Sequence, residues 1–308
     1  MKAPLIELKN VCKSFGRNTV LDNVSLTIHA GEITSIIGKS GVGKSVLLKH
    51  LIGLLEPDSG VILFQGQPLS EMRASERQDI KHLFSYMFQN MALFDSMSVF
   101  ENIALPLREK AHYEDELLEA LVMERIQQLE LENFAESYPS QLSGGMQKRV
   151  ALARALITDP EIILFDEPTT GLDPIRKNAI HAMISHYQEQ FRFTAVMVSH
   201  EIPDVFFISQ RLAMLHMGRI VYEGAPEQIE HSTDPVVREF IKGVEGLKVE
   251  LAGIETKTQV FLEFEDDYAR GKEDASTYAL ILFTIENFEE INDRLGHVVG
   301  QKLLRNFV

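Results

Sequence analysis

The run Gly38-Lys39-Ser40-Gly41-Val42-Gly43-Lys44-Ser45 puts three glycines, two lysines and two hydroxyls into eight residues, a combination suited to gripping phosphate oxygens. Glycines let successive backbone N–H groups turn inward around an anion, and a helix starting just behind them adds the positive end of its dipole. With Gly38, Ser40, Gly41 and Gly43 shaping such a cradle, Lys44 would bridge the β- and γ-phosphates of a nucleotide and the Ser45 hydroxyl would hold Mg²⁺. A second cluster, Asp166-Glu167, offers a carboxylate that could bind Mg²⁺ directly or through water and a second that could polarise an attacking water. His200 is a third candidate, for a contact to the γ-phosphate.

These residues become one site only if the chain carries them to one place, and the flanking segments suggest how. Glu32-Ile33-Thr34-Ser35-Ile36-Ile37 is β-branched and apolar, as a buried parallel strand should be. After the glycine loop comes a helix that is apolar nearly all round, through Val46, Leu47, Leu48, Leu51, Ile52 and Leu55. Ile162-Ile163-Leu164-Phe165 reads as a second core strand ending at Asp166-Glu167, and Ala195-Val196-Met197-Val198-Ser199 as a third ending at His200. Parallel strands deliver the residues at their C-terminal ends to one crevice, so three separate segments converge there.

Composition narrows the partners. The chain has 308 residues, 45% of them hydrophobic, enough to bury one large core or one core plus a smaller module. A formal net charge of -15 argues against nucleic acid, whose phosphates reward basic surfaces. The single cysteine, Cys12, cannot form an internal disulfide, which suits a reducing cytosol, and reads best as a small packed residue. No stretch approaches the ~20 consecutive apolar residues needed to cross a bilayer, and Met1 to Leu8 lacks the apolar core of a signal peptide, so a membrane role is expected from outside the lipid.

Leu142-Ser143-Gly144-Gly145-Met146-Gln147-Lys148-Arg149 reads on its own as another helix N-terminus with exposed amides. It also resembles the signature motif of the ABC ATPase family. Taken with the glycine loop, with Gln89 in Tyr86-Met87-Phe88-Gln89, with Asp166-Glu167-Pro168 and with Gly171-Leu172-Asp173, the resemblance covers about residues 5 to 245. It implies an α/β, P-loop fold with a mostly parallel core sheet, an antiparallel β subdomain and an α-helical subdomain over about residues 90 to 160.

The same resemblance implies two copies pairing head to tail, with Ser143, Gly144 and Gly145 of one closing over the γ-phosphate of ATP held by Lys44 of the other, and Asp173 linking the two sites. Phe15 matches the aromatic that stacks on adenine, its competing reading being a core phenylalanine. Gln89 looks like the residue that touches Mg²⁺ and water when the site is assembled and that senses a transmembrane permease. Each alignable catalytic position keeps its functional residue, so ATP hydrolysis is expected.

Less generic segments point to a branch of the family. Phe94-Asp95-Ser96, Gly43 to His50, His200-Glu201-Ile202-Pro203-Asp204-Val205 and Asp234 to Phe240 are similar to ATPases that work with MCE-domain lipid carriers. That is the Mla-type resemblance, which implies phospholipid movement between inner and outer membranes from the cytoplasmic face of the inner membrane. It further implies a permease coupled through a short helix near Gln89 and Phe94, and a small regulatory subunit reached through the complex. Competing readings are an ABC ATPase of another importer or exporter, a signalling-linked ABC ATPase regulated through its C-terminal appendage, and a soluble ABC ATPase acting on nucleic acid or ribosomes, for which the usual tandem ATPase domains or long coiled-coil insertions are lacking.

Residues 247 to 308 exceed what the ATPase domain, 1 to 246, requires. Tyr278 to Ile285 reads as a strand, and Phe288 to Gly300 resembles the opening of a GGDEF domain, the cyclic-di-GMP synthase fold. Thr284 stands where that family has a metal-binding aspartate and Gln301 where it has an acid, and the sequence ends at Val308 before the Gly-Gly-Asp/Glu-Glu-Phe turn, so cyclase activity is not expected of this chain. A small βα appendage with unpaired edges is expected to dock on the ATPase sheet, the opposing subunit or a partner.

Overall fold

The computed structural model describes residues 4–88, 91–110, 113–172, 174–200 and 205–245. The chain divides into two compact units, Met1–Ala225 and Pro226–Val308. In the first, β1 (Pro4–Phe15) and β2 (Asn18–His29) form an antiparallel hairpin, followed by β3 (Ile33–Ile37), α1 (Lys44–Leu51), β4 (Ser59–Phe64), β5 (Gln67–Pro68), α2 (Ala74–His82) and β6 (Phe84–Met87). Three helices come next, α3 (Val99–Lys110), α4 (Asp115–Gln128) and α5 (Gly144–Leu156). The unit is completed by β7 (Ile162–Asp166), α6 (Pro174–Phe191), β8 (Thr194–Ser199), α7 (Val205–Ile208), β9 (Arg211–His216) and β10 (Arg219–Gly224).

Two sheets result. The antiparallel one has the order β2-β1-β4-β5. The other has the order β10-β9-β3-β8-β7-β6, with every adjacent pair parallel except the edge pair β10 and β9. Ile33, Ile36, Ile37, Leu164, Phe165, Val196 and Val198 are fully buried, which is why these strands read as mainly apolar, with Thr34 and Ser35 of β3 among the buried polar exceptions. Leu47 and Leu48 of α1 are buried in the same core.

Register fixes what the sheet can do. Ile37 pairs with Ser199, Asp166 with Val198, and Met87 with Phe165, so β3, β8, β7 and β6 end side by side at one edge. The residues that follow those ends are Gly38, His200, Glu167 and Phe88. The three strands expected from sequence therefore exist and end where the candidate residues begin.

Helices α3, α4 and α5 pack together through buried Ile103, Leu107, Val122, Ile126 and Val150. Asn102 is fully buried among them, and its amide donates to the carbonyls of Phe94, Met97 and Ser98 while its oxygen accepts from the Phe94 N–H. One side chain thus satisfies the backbone of the turn leading into α3.

The described part of the second unit contains α8 (Pro235–Glu245). Asp234 Oδ1 accepts from the N–H groups of Val236 and Val237, an aspartate N-cap followed by proline at the first helical position. Residues 247 to 308, and with them the expected strand and helix of the appendage, lie outside the described residues.

Candidate active site

Two glycines of the phosphate loop are required by the fold itself. A Cβ on Gly38 would lie 2.4 Å from the Leu215 carbonyl oxygen of β9, which no side chain tolerates. Gly43 has φ 105 and caps α1, and a Cβ there would meet Val20 Cγ1 at 2.8 Å. The loop is thereby pressed between β9 and β2, with Ser40 and Gly41 left exposed on its outer side.

Lys44 opens α1 and is 4% exposed. Its Nζ donates to the carbonyls of Gly38 at 2.9 Å and Lys39 at 3.0 Å, and lies 3.5 Å from Glu167 Oε1. Burial is the main influence on this ammonium and holds its pKa below the ordinary lysine value, against the opposing pull of Glu167.

Ser45 Oγ donates to Asp166 Oδ1 at 3.0 Å, and the Tyr86 hydroxyl donates to Asp166 Oδ2 at 2.6 Å. A hydroxyl and a carboxylate side by side are the hard oxygen donors a small divalent cation takes. Burial, reinforced by the hydrogen bond to Asp166, raises the Tyr86 phenol well above its usual range and keeps it a donor.

Glu167 extends the ladder, its N–H donating to the Val198 carbonyl at 3.1 Å, and then turns sharply with φ 50. His200 Nδ1 lies 3.0 Å from its Oε2, and the Thr170 hydroxyl donates to the same oxygen at 3.0 Å. The carboxylate is held from both sides, by Lys44 on one oxygen and by His200 with Thr170 on the other.

Lys44, Ser45, Asp166, Glu167 and His200 are thus brought together as expected. Phe15 sits at the end of β1, 48% exposed as a residue and with Lys13 Nζ 5.8 Å from its ring centroid, which rules out the core reading. Gln89 and Asp173 lie outside the described residues. Tyr86 and Thr170 were not singled out from sequence; Tyr86, two residues upstream of Phe88 on a strand beside β7, carried the one signal that could have found it.

Ser143 is the N-cap of α5, its Oγ accepting from the Met146 N–H at 3.3 Å. Gly144 and Gly145 differ from Gly38 and Gly43: among the described residues, and apart from the neighbouring backbone of their own helix, no atom lies within 4 Å of where a Cβ would sit on either. Among the described residues, neither packing nor backbone geometry asks for glycine there. The expected consequence is a split result. Gly38→Ala should destabilise the fold by about 1–3 kcal/mol through forced overpacking. Gly145→Ala should be neutral or stabilising by up to ~1 kcal/mol, as alanine is in a helix. Urea unfolding of the two variants checks this.

A strand, a glycine cradle, a buried lysine, and an acid pair at the end of β7, with β8 between it and β3 in a mostly parallel sheet, define a P-loop nucleoside triphosphatase. Residues 21–170 match the family described as ABC transporter, and residues 250–308 the family described as Diguanylate cyclase, GGDEF domain. The chain is 39% identical over 242 residues to the intermembrane phospholipid transport system ATP-binding protein MlaF of Escherichia coli (strain K12), covering 79% of this chain and 90% of that protein. It is 41% identical over 238 residues to the probable ribonucleotide transport ATP-binding protein mkl of Mycobacterium leprae, covering 77% of this chain and 69% of that protein.

Among solved structures it resembles cbiO1 of Clostridium perfringens, part of the ABC transporter complex cbiONQ, with TM-score 0.69 at 26% identity over 77% of this chain and 94% of that one. It also resembles the ATP-binding cassette MJ0796, solved as a dimer in a post-hydrolysis state with ADP and Pi, with TM-score 0.61 at 33% identity over 72% of this chain and 98% of that one. The chain belongs to the ATP-binding family of ABC transporters and is an ATP-hydrolysing subunit.

Proposed function

We propose that this chain, through an ATPase domain of residues 1 to 246, drives an ABC transporter that moves phospholipid between the inner and outer membranes, acting from the cytoplasmic face of the inner membrane. Carrying this reading is the convergence of Lys44, Ser45, Asp166, Glu167 and His200 on one strand edge in a chain 39% identical to MlaF. Among the described residues no helix is long and apolar enough to cross a membrane, so the transmembrane path belongs to a permease subunit in this reading. An MCE-domain carrier and a small regulatory subunit complete the complex.

Within the site, Gly38, Ser40, Gly41, Gly43 and Lys44 hold the triphosphate, and Phe15 offers its ring to adenine. Lys44 is the natural ligand for the γ-phosphate: its present partners are two loop carbonyls and Glu167, all of which an anion could replace. Ser45 and Asp166, with Gln89, hold Mg²⁺, which neutralises charge on the phosphate oxygens when bound. Tyr86 orients Asp166. Glu167 accepts a hydrogen bond from the attacking water, and His200 and Thr170 keep its carboxylate turned toward the lysine.

Gly144 and Gly145 support the paired arrangement. Among the described residues both face open space, which a second copy's nucleotide needs in order to approach the α5 N-terminus, with Ser143 at its edge and Asp173 joining the two sites. Closing such an interface can bias a permease only through its different affinity for the closed and open states, so no lipid pocket is required of this chain. Residues 247 to 308 act in this reading as a docked accessory piece that regulates assembly.

The test is purification of the full chain with its membrane partners from detergent-solubilised membranes, followed by mass spectrometry of bound lipid. A complex that contains a permease and phospholipid is expected. One that contains a permease and responds to ribonucleotide instead would redirect the cargo assignment to the mkl-like alternative, and a chain that brings down no membrane protein would overturn the transport reading.

A further inference from the structure

Helix α5 grips two loops of its own chain. Near its C-terminal end, Arg154 Nη1 donates to the Ala92 carbonyl at 2.7 Å and Nη2 to the Met91 carbonyl at 2.6 Å. Met91 and Ala92 have φ 58 and φ 49, so two successive non-glycine residues stand in the left-handed region. That conformation is strained for any side chain with a Cβ, and it persists where surrounding groups over-determine it. A planar guanidinium with two parallel donors fits a pair of consecutive carbonyls, which a lysine's single ammonium does not. In the sequence, Met91 and Ala92 come directly after Gln89 and Asn90.

At the other end of α5, Lys148 is buried and its Nζ donates to the carbonyl of Pro168, the residue after Glu167. Six positions separate Lys148 from Arg154. At 3.6 residues per turn the two point roughly 120° apart, so the helix reaches two different loops from two different faces.

We propose that α5 is a strut between the turn following Glu167 and the segment following Gln89, and that Arg154 is a positioning residue for ATP hydrolysis that acts by holding Met91 and Ala92 in their left-handed turn. The Arg154 guanidinium is directed at the two loop carbonyls, so its part is to position and not to react. Because Ser143 caps the same helix, a pull on that end by a second copy's nucleotide reaches both loops through one rigid element. The catalytic part of the proposal rests on the roles given above to Glu167 and Ser143; the grip on Met91 and Ala92 does not.

The experiment uses the full chain and three variants, Arg154→Gln, Ala92→Gly and the double. Arg154→Gln removes the fork and is expected to lower kcat about tenfold or more with KM for ATP little changed, in line with the cost of misplacing groups by about an ångström. It should also speed chymotrypsin cleavage beside Phe88 and Phe94, which flank the turn and are half exposed. Ala92→Gly alone should be near wild type. Glycine adopts a φ near 49 without strain, so in the double variant it should restore most of the lost kcat.

A packing role for Arg154 would not be rescued by a glycine on a different element. Wild-type kcat in Arg154→Gln, or a double variant no faster than the single, overturns the proposal. Should Arg154→Gln fail to fold, Arg154→Lys keeps the charge with one donor lost and carries the same rescue test. Faster cleavage in Arg154→Gln together with unimpaired turnover in Glu167→Gln would separate the two readings, sustaining the loop grip while removing the assigned catalytic role.

Discussion

Glu167→Gln is expected to bind ATP as well as the wild-type chain does, to accumulate as an ATP-bound dimer, and to lose turnover by about 10²–10⁴-fold, the usual worth of a positioned general base. The substitution keeps shape and removes charge. In the native chain, burial alone would raise the Glu167 carboxyl, but the Thr170 hydroxyl, His200 and the Lys44 ammonium outweigh it and hold the pKa below the ordinary carboxylate value. The group is therefore ionised at neutral pH and able to accept a proton from water. A glutamine amide in the same place can still receive the Thr170 hydroxyl, so the site should stay assembled while its base is gone.

Linkage adds a second readout. A carboxyl whose folded pKa is depressed contributes stability that is present above its unfolded pKa and lost as pH falls through the folded value. The wild-type chain should thus lose more stability than Glu167→Gln does between the ordinary glutamate range and more acidic pH. Nucleotide binding by fluorescence, phosphate release and urea unfolding at two pH values check all three. Phosphate release at the wild-type rate in Glu167→Gln would falsify the role given to this residue.

How much of this was readable beforehand depends on the range of the interaction. The strands β3, β7 and β8 were legible because buried parallel strands are apolar on both faces, and the site residues follow their ends in sequence. The helix after the phosphate loop was read as running through Leu55, yet α1 ends at Leu51. Gly53 takes φ 68, and the N–H groups of Leu54 and Leu55 return to the Lys49 carbonyl, which ends the helix in a turn and leaves Leu54 exposed. Apolar spacing continues across that turn, so periodicity could not show the stop.

Side-chain grips across long stretches of chain left no trace in spacing. Tyr86 and Asp166 are 80 residues apart, and Arg154 and Met91 are 63 apart. No local pattern encodes such pairs; only the strand order and the packing of α5 bring them together. The left-handed backbone at Glu167, Met91 and Ala92 was equally hidden, since none of these residue types advertises a positive φ.

A mixture of two inactive chains should hydrolyse ATP. Lys44→Ala removes the buried ammonium beside Glu167 that the proposed function assigns to the γ-phosphate, and Ser143→Arg fills the open approach to the α5 N-terminus. Each variant alone should fall to near background, because in a head-to-tail pair of identical chains every site contains the same defect. In a mixed pair the defects segregate. The site built from the Ser143→Arg chain's Lys44 and the Lys44→Ala chain's Ser143 has both native groups, and the other site has neither. With random pairing about half the dimers are mixed and one site in each is intact, so recovery should approach roughly a quarter of wild-type activity where the sites act independently, and less where both must fire together. Were Lys44 and Ser143 instead to serve one nucleotide within a single chain, no mixture could assemble an intact site. A mixture as inactive as its components, under conditions where wild-type chains exchange partners, would therefore place the whole site inside one copy. The open space over Gly144 and Gly145 would then need a different occupant.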